Sequence, residues 1–267
     1  MSLNIKFYDT IARFYDAENI EMTDDLILYS ELVEETGGPV LDVGCGTGRV
    51  MLHLAQEGVQ TVGIDRSEAM LERGQRKLAV MPDLKSRVTF VQGDALNTPF
   101  AHRFKLIIVP YNGFMHFSEQ VDQIAALRHF YSLLDDDGML VLDLPNAGEA
   151  FGTQDDGSVV LERMFVEPET GHVVMQQSVS TLDRISQQLH ITWIYDEISD
   201  DSTVHRTVAP LLLRYVFSGE MNLLLKLTGL EAVQIYGDYM RDPFVEGCPR
   251  MIVLARKAPE IGKREGK

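Results

Sequence analysis

Cysteine is nearly absent from this chain. Cys45 and Cys248 are the two present in 267 residues, so no disulfide framework is available and a reducing cytoplasm fits. Basic residues are also scarce: 24 Lys and Arg stand against 40 Asp and Glu, a formal net charge of -16, with no Lys/Arg run. That balance excludes avid, unspecific attachment to nucleic-acid phosphates. Long apolar runs are missing too. The first thirty residues carry Lys6, Asp9, Arg13, Asp16 and Glu18, so neither a signal peptide nor a membrane span is predicted. No Cys/His cluster has ligand spacing, so no metal is signalled, and no internal repeat is visible. What remains is 45% hydrophobic and 24% charged, long enough for one large α/β domain with a small insertion.

The chain is organised around Val40-Leu41-Asp42-Val43-Gly44-Cys45-Gly46-Thr47-Gly48-Arg49-Val50. Apolar residues flank an acid, glycines follow at every second position, and a helical pattern starts at Val50. A buried strand that turns at once into a helix reads this way, with glycines supplying positive φ and room for a ligand against bare main chain. A dinucleotide fingerprint of the Gly-x-Gly-x-x-Gly type needs glycine at 49, where Arg49 stands, which weighs against a nicotinamide oxidoreductase. Thr61–Asp65 is the next strand, and Asp65 lies 21 residues beyond Gly44. That is close to the roughly 20-residue offset at which an acid meets ribose hydroxyls in nucleotide-binding βαβ units. Ser67 is placed to cap the helix that follows, so Asp65 is not needed for that task.

Further on, Val88–Ala95 is a short strand ending in Gly-Asp94-Ala95, and Phe104–Val109 is an apolar run expected of a strand covered on both faces. Its exit, from Pro110 to Phe117, gathers Tyr111, Asn112, Phe114 and His116 where ligands of open α/β sheets bind. Ser118 is read as the cap of a helix with the stripe Val121, Ile124, Leu127, Tyr131 and Leu134, ended by a solvated turn at Asp135–Gly138. Met139–Asn146 is the fifth strand with its exit. From Ser158 to Phe217 the period drops to two, clearest in Leu189, Ile191, Trp193 and Tyr195, which predicts three or four antiparallel strands. A helix from Ser218 and two strands, Ala232–Tyr236 and Met251–Ala255, close the pattern. Upstream, Tyr8, Ile11, Ala12 and Tyr15 repeat at helical spacing.

The run from Leu41 to Gly48 resembles motif I of the class I S-adenosylmethionine (SAM)-dependent methyltransferases. The opening Tyr8-Asp9…Ala12…Tyr15-Asp16, Gly93-Asp94-Ala95 and the loop Asn112-Gly113-Phe114-Met115-His116-Phe117 resemble small-molecule N-methyltransferases of the amino-sugar and glycine type. Two departures stand out: Lys105 replaces an acid usual in that family's fourth strand, and Gly113 replaces a serine. The resemblance implies a doubly wound, seven-stranded Rossmann-like sheet with an antiparallel insertion after strand five. It divides the chain into an N-terminal helical lid (1–36), a SAM-binding domain (37–157 and 218–257), an inserted sheet (158–217) and a mobile tail (258–267). The insertion would roof the substrate pocket or supply a subunit contact, as in a homodimer.

The implied activity is methyl transfer from SAM, leaving S-adenosylhomocysteine, to a small-molecule acceptor, in first place an amine nitrogen. O- and C-methylation and a catalytically silent SAM-binding protein stay open. As implied residues, cofactor binding falls to Tyr15, Asp42, Gly44, Cys45, Gly46, Gly48, Asp65, Arg66, Met70, Asp94, Ala95, Pro110 and Tyr111. Substrate binding falls to Tyr8, Asn112, Phe114, Asn146 and Arg250, with His116 and Tyr15 catalytic and His116 either a base or an orienting group. Such a protein needs no metal, no nucleic acid and no membrane.

Overall fold

The computed structural model describes residues 3–150 and 157–259; most of the tail expected to be mobile from Ala258 lies outside the described residues. Seven strands form one sheet: β1 (Val40–Val43), β2 (Thr61–Asp65), β3 (Val88–Gln92), β4 (Phe104–Val109), β5 (Leu134–Pro145), β10 (Leu230–Tyr236) and β11 (Arg250–Lys257). Their order is β10-β11-β5-β4-β1-β2-β3, with β11 antiparallel to both its neighbours and the β1–β5 pairings parallel. This is the doubly wound Rossmann-like sheet. Successive side chains of a strand point to opposite faces, and both faces here are covered. Leu41, Val43, Ile107, Val109, Leu140 and Leu142 therefore enter one core, while Val40, Leu106, Ile108, Met139 and Val141 enter the other. The second core is closed by α2 (Leu26–Thr36) and by Val50 and Leu54 of α3 (Arg49–Gln56).

Two segments differ from the sequence reading. Helix α5 (Gln120–Leu133) starts after Glu119, not after a Ser118 cap, and buries Gln123, Ala126, Leu127, Phe130 and Leu133. Val121 stays 69% exposed. The wholly apolar ring of Phe130 takes the core, and Gln123 goes inward because its Oε1 accepts from the buried Arg214 guanidinium at 2.7 Å. Tertiary partners outweigh the simple apolar stripe. The acids 135–137 are the start of β5 rather than a turn. They meet Arg103, Lys105 and Lys257, so Lys105, at the end of β4 away from its carboxyl terminus, is engaged by Asp135 at 3.1 Å and by Asp137.

The insertion is a four-stranded antiparallel sheet in the order β6 (Val160–Val166), β7 (Val173–Asp183), β8 (Gln188–Ile198), β9 (Val204–Arg214). Helix α1 (Leu3–Glu18) is wedged between it and the main sheet. Phe7, Ile11 and Phe14 are buried in the same core as Tyr195, Ala209 and Leu211, and Phe14 stacks on Tyr195 with centroids 4.9 Å apart and planes at 7°. Burying each such side chain is worth about 1.5–3 kcal/mol. The remaining helices are α4 (Glu68–Ala79), α6 (Ala147–Ala150) and α7 (Ser218–Leu227). Among the described residues no helix is long and apolar enough to cross a membrane.

Because Phe14 is fully buried against Phe165 and Tyr195 of the inserted sheet, Phe14→Ala should cost about 3–5 kcal/mol, the usual range for emptying a buried aromatic site. Urea unfolding would register this as a lowered midpoint at unchanged slope; a midpoint shift equivalent to under 1 kcal/mol would mean that α1 is not held by this contact.

Candidate active site

Parallel neighbours β1 and β4 send their chains away in different directions at their carboxyl ends, which opens a crevice at that point of the sheet. A cavity of ≈ 160 Å³ occupies it. Its wall comes from the loops after β1, β2, β3 and β4 and from α1. Gly44 and Gly46 take φ of 73° and 55°, a region open to glycine at little cost, and leave main chain facing the cavity. A Cβ on Gly46 would lie 3.1 Å from the Met70 methyl and 4.0 Å from the Tyr15 ring, two further wall residues. Gly48 has another task. It does not line the cavity; its missing side chain makes room for the Phe90 ring, 2.7 Å from where a Cβ would sit.

Three carboxylates meet this wall in different states. Asp65 Oδ2 accepts from the Gly46 N–H and Oδ1 from the Ser67 N–H, both at 2.9 Å. Burial raises its pKa, and those N–H groups pull the other way. With the Arg66 N–H also bonded to it, the carboxylate keeps remaining acceptor capacity for a hydroxyl. Asp42 is 1% exposed, its Oδ1 has no hydrogen-bond partner, and burial pushes its pKa up to about 7 against the lowering influence of Arg49. Asp94, partly exposed, folds its own turn by accepting from the Leu96 N–H at 3.0 Å, with Arg66 3.7 Å away. Ser67 caps α4 by accepting from Met70 N–H at 3.2 Å and donates to Asp9 of α1 at 2.6 Å. Asp16 of α1 accepts from Thr47 and Lys77, each at 2.6 Å. The helix is thus tied to the glycine loop by charge-assisted bonds.

The loop after β4 is held in an unusual conformation. Tyr111 and Asn112 have φ of 39° and 67° in succession, a region non-glycine residues seldom enter. The hold comes from β5 and β11. Asp143, fully buried, accepts from the Tyr111 N–H at 2.9 Å, from the Tyr239 hydroxyl at 3.0 Å and from Arg250 Nε at 2.9 Å. Arg250 also donates to Asn112 Oδ1 at 3.0 Å. Residues 113–116 then form a single 3₁₀ turn. With three residues per turn, Gly113 and His116 share the cavity face while Phe114 turns into the core. His116 Nε2 lies 3.0 Å from the Tyr8 hydroxyl, and burial lowers its pKa to about 4.

Of the residues expected from the sequence, Tyr8, Tyr15, Asp42, Gly44, Cys45, Gly46, Asp65, Arg66, Met70, Asp94, Ala95, Pro110, Tyr111 and His116 come together around the cavity. Gly48, Asn112, Phe114, Asn146 and Arg250 do not line it. Asn146 staples the exit of β5 by donating to the Cys248 carbonyl at 2.9 Å, and Arg250 is engaged by Asp143 and Asn112. Wall residues that the sequence reading passed over include Asn4, Arg49, Ser67, Gly113 and Phe117. Gly113, three residues ahead of His116, is the one whose spacing carried a signal.

A glycine loop at the switch point, an acid at the end of β2 and a second at the end of β3 define an α/β protein built to hold a nucleoside. The orphaned Asp42 Oδ1 calls for a cationic donor as well, which suits the amino group of SAM. Residues 40–138 match the family described as a methyltransferase domain. The cypemycin N-terminal methyltransferase of a Streptomyces species is 26% identical over 221 residues, 83% of this chain and 84% of its own length. The glycine/sarcosine N-methyltransferase of Parasynechococcus marenigrum is 28% identical over 215 residues, 80% of this chain and 71% of its own. Among solved structures, the CcbJ methyltransferase from Streptomyces caelestis matches with a TM-score of 0.82 at 24% identity, covering 97% of this chain and 100% of that one. Residues 40–138 thus carry a methyltransferase domain, and over most of its length the chain is similar to SAM-dependent methyltransferases.

Asp42 generates a proton-linked prediction. At pH 7 a carboxyl with pKa about 7 is half protonated, and an ammonium beside it favours the carboxylate. Binding S-adenosylhomocysteine at pH 7 should release roughly half a proton per site, measurable by calorimetry in buffers of different ionisation enthalpy, and Asp42→Asn should abolish the release. Asp65→Ala should weaken binding roughly ten- to a hundredfold, the scale of a charge-assisted hydrogen bond.

The strained loop generates another. Arg250→Met strands Asp143 in the interior without its cation, which should cost about 3–5 kcal/mol of stability. Calorimetric Tm and turnover should fall together; an unchanged Tm would show that Asp143 has another counter-charge.

Proposed function

We propose that this enzyme methylates the nitrogen of a small, cationic amine, free or at the end of a peptide. A second cavity, ≈ 510 Å³, carries the reading. Tyr111 lines both cavities, so the second opens beside the first. Around it stand Glu18, Glu21, Asp24 and Glu162, with Arg163 as the one basic side chain. Arg163 is turned to the Glu18 carbonyl. Burial raises the Glu18 carboxyl to about 7, so an arriving ammonium would favour its ionised form. An acid-rich approach suits an amine that arrives protonated and disfavours acceptors carrying phosphate. The names of the two relatives support the same class: one is named for a peptide amino terminus and the other for glycine and sarcosine.

SAM, when bound, supplies an electrophilic methyl group on a sulfonium. The chain's own contribution is placement: Asp42 and Asp65 hold the cofactor's polar groups, Tyr15 and Met70 flank the glycine loop, and Tyr8, His116 and Phe117 face the space left for the acceptor. Holding two reactants in line supplies most of the acceleration such a transfer needs. An amine with a lysine-like pKa of about 10.4 costs roughly 4–5 kcal/mol to neutralise at pH 7, and an amino-terminal amine much less. The acidic surface argues against a nucleic-acid substrate, and two free cysteines suit the reducing cytoplasm.

An activity screen with labelled SAM over amines, amino sugars, phenols and carboxylates tests this reading. Amines without phosphate should be preferred, and Glu18→Gln with Glu162→Gln should raise the KM for the best cationic acceptor roughly tenfold or more while leaving cofactor affinity intact. Preference for a phenol, a carboxylate or a nucleotide-linked sugar would overturn the reading.

A further inference from the structure

We propose that Asn4 fixes the ring proton of His116 on Nε2, and that the Tyr8 hydroxyl, not the imidazole, is therefore the polar group the methyl acceptor meets. Asn4 sits in the first turn of α1 against the backbone of β9. Its Oδ1 accepts from the Leu212 N–H at 3.1 Å and its Nδ2 donates to the Leu212 carbonyl at 2.8 Å. That pairing works in one orientation: a flipped amide would set oxygen against oxygen and N–H against N–H. The position of the NH₂ group is thus dictated by the sheet, at a residue type whose orientation is otherwise ambiguous.

The second hydrogen of Nδ2 is directed at His116. Nδ2 lies 3.4 Å from His116 Nδ1 and 3.4 Å from the His116 carbonyl, a long contact shared between two acceptors. A ring nitrogen facing an NH₂ group must present its lone pair. Neutral imidazole carries one N–H, so the proton belongs on Nε2, where it donates to the Tyr8 oxygen 3.0 Å away. Tyr8 keeps its own proton, because burial and the neighbouring Tyr15, Asp65, Glu18 and Tyr111 disfavour a phenolate. With one lone pair of Tyr8 committed to His116, its O–H and remaining lone pair are left for the cavity that Tyr8 lines.

Protonating His116 would set an Nδ1–H against the Asn4 NH₂ group, so the imidazole is a poor proton sink. Burial acts in the same direction and holds its pKa near 4. Among the described residues, the titratable side chain hydrogen-bonded to the ring is Tyr8 of α1. Asn4 and His116 are then positioning residues that act through Tyr8, and the amine must reach transfer as its free base. The consequence for turnover rests on methyl transfer at this site, whereas the tautomer is measurable with no acceptor present.

Long-range proton–nitrogen correlation spectra of the full chain labelled at histidine read the tautomer directly. His116 should show the neutral Nε2–H pattern and should not titrate between about pH 5.5 and 8, well above its depressed pKa. Tyr8→Phe should keep that tautomer, because Asn4 sets it, and should lower kcat roughly tenfold, the scale of a lost hydrogen bond, with cofactor affinity unchanged. Asn4→Asp places an acceptor opposite Nδ1; it should move the proton there and make His116 titrate above pH 6. An Nδ1–H tautomer in the unmodified chain, titration near 6.5, or a tautomer switch in Tyr8→Phe would each overturn the proposal. If Asn4→Asp fails to fold, the first two measurements decide it alone. Tautomer spectra as expected with no methyl transfer to any amine would instead count against the proposed function.

Discussion

The divergence of β1 and β4 is the constraint on which this molecule depends. A parallel pair at that point cannot be closed by its own loops, so main chain and polar side chains are left facing a gap. Everything that touches the gap has been adapted to leave it open yet supported. Gly44 and Gly46 keep their loop thin, Asp65 is braced by two backbone N–H groups, and the 110–117 loop is drawn back by Asp143. The cost of these devices is borne in the surrounding core, where buried apolar strands on both faces make the frame rigid enough to hold left-handed residues in succession.

Helix α1 completes the site by working in three directions. Its apolar side is locked between two sheets through Phe7, Ile11 and Phe14; its acids reach the glycine loop through Ser67, Thr47 and Lys77; its tyrosines face the cavity. A segment so anchored is part of the wall. The contacts with the cofactor loop are ionic and partly exposed, and therefore the weaker set, whereas those with the inserted sheet are apolar and buried. Opening of the site, where it occurs, is expected along the α1–α4 seam before the α1–β9 seam.

Much of the fold was legible in the sequence because its signals are local. Glycines at alternate positions, an acid at a fixed distance and apolar runs of strand length report on neighbouring backbone, and they pointed to the cavity wall at Gly44, Gly46 and Asp65. What stayed hidden is long-range. Asn4 reads as an ordinary polar residue until β9 arrives beside it, more than two hundred positions later. The resemblance implied that Arg250 and Asn146 bind substrate, yet Asp143 engages the one and the Cys248 carbonyl the other. Phe114 was implied as a substrate contact, but the 3₁₀ turn puts Gly113 and His116 on the cavity and Phe114 in the core. The register of α5 was missed for a related reason: a glutamine faces inward when an arginine from another element waits there.

The buried pair between Asp143 and Arg250 has a bearing on how the molecule comes into being. Asp143 is synthesised before the whole inserted sheet, and Arg250 after it, at the start of the last strand. Until that strand slots between β5 and β10, the aspartate lacks its cation and the Tyr111–Asn112 turn lacks its brace. A nascent chain emerging from the ribosome can therefore assemble the glycine loop early, but it braces the loop after β4 only once Arg250 has been made. Binding of a nucleoside and readiness to react on it are separated in time by the chemistry of one ion pair.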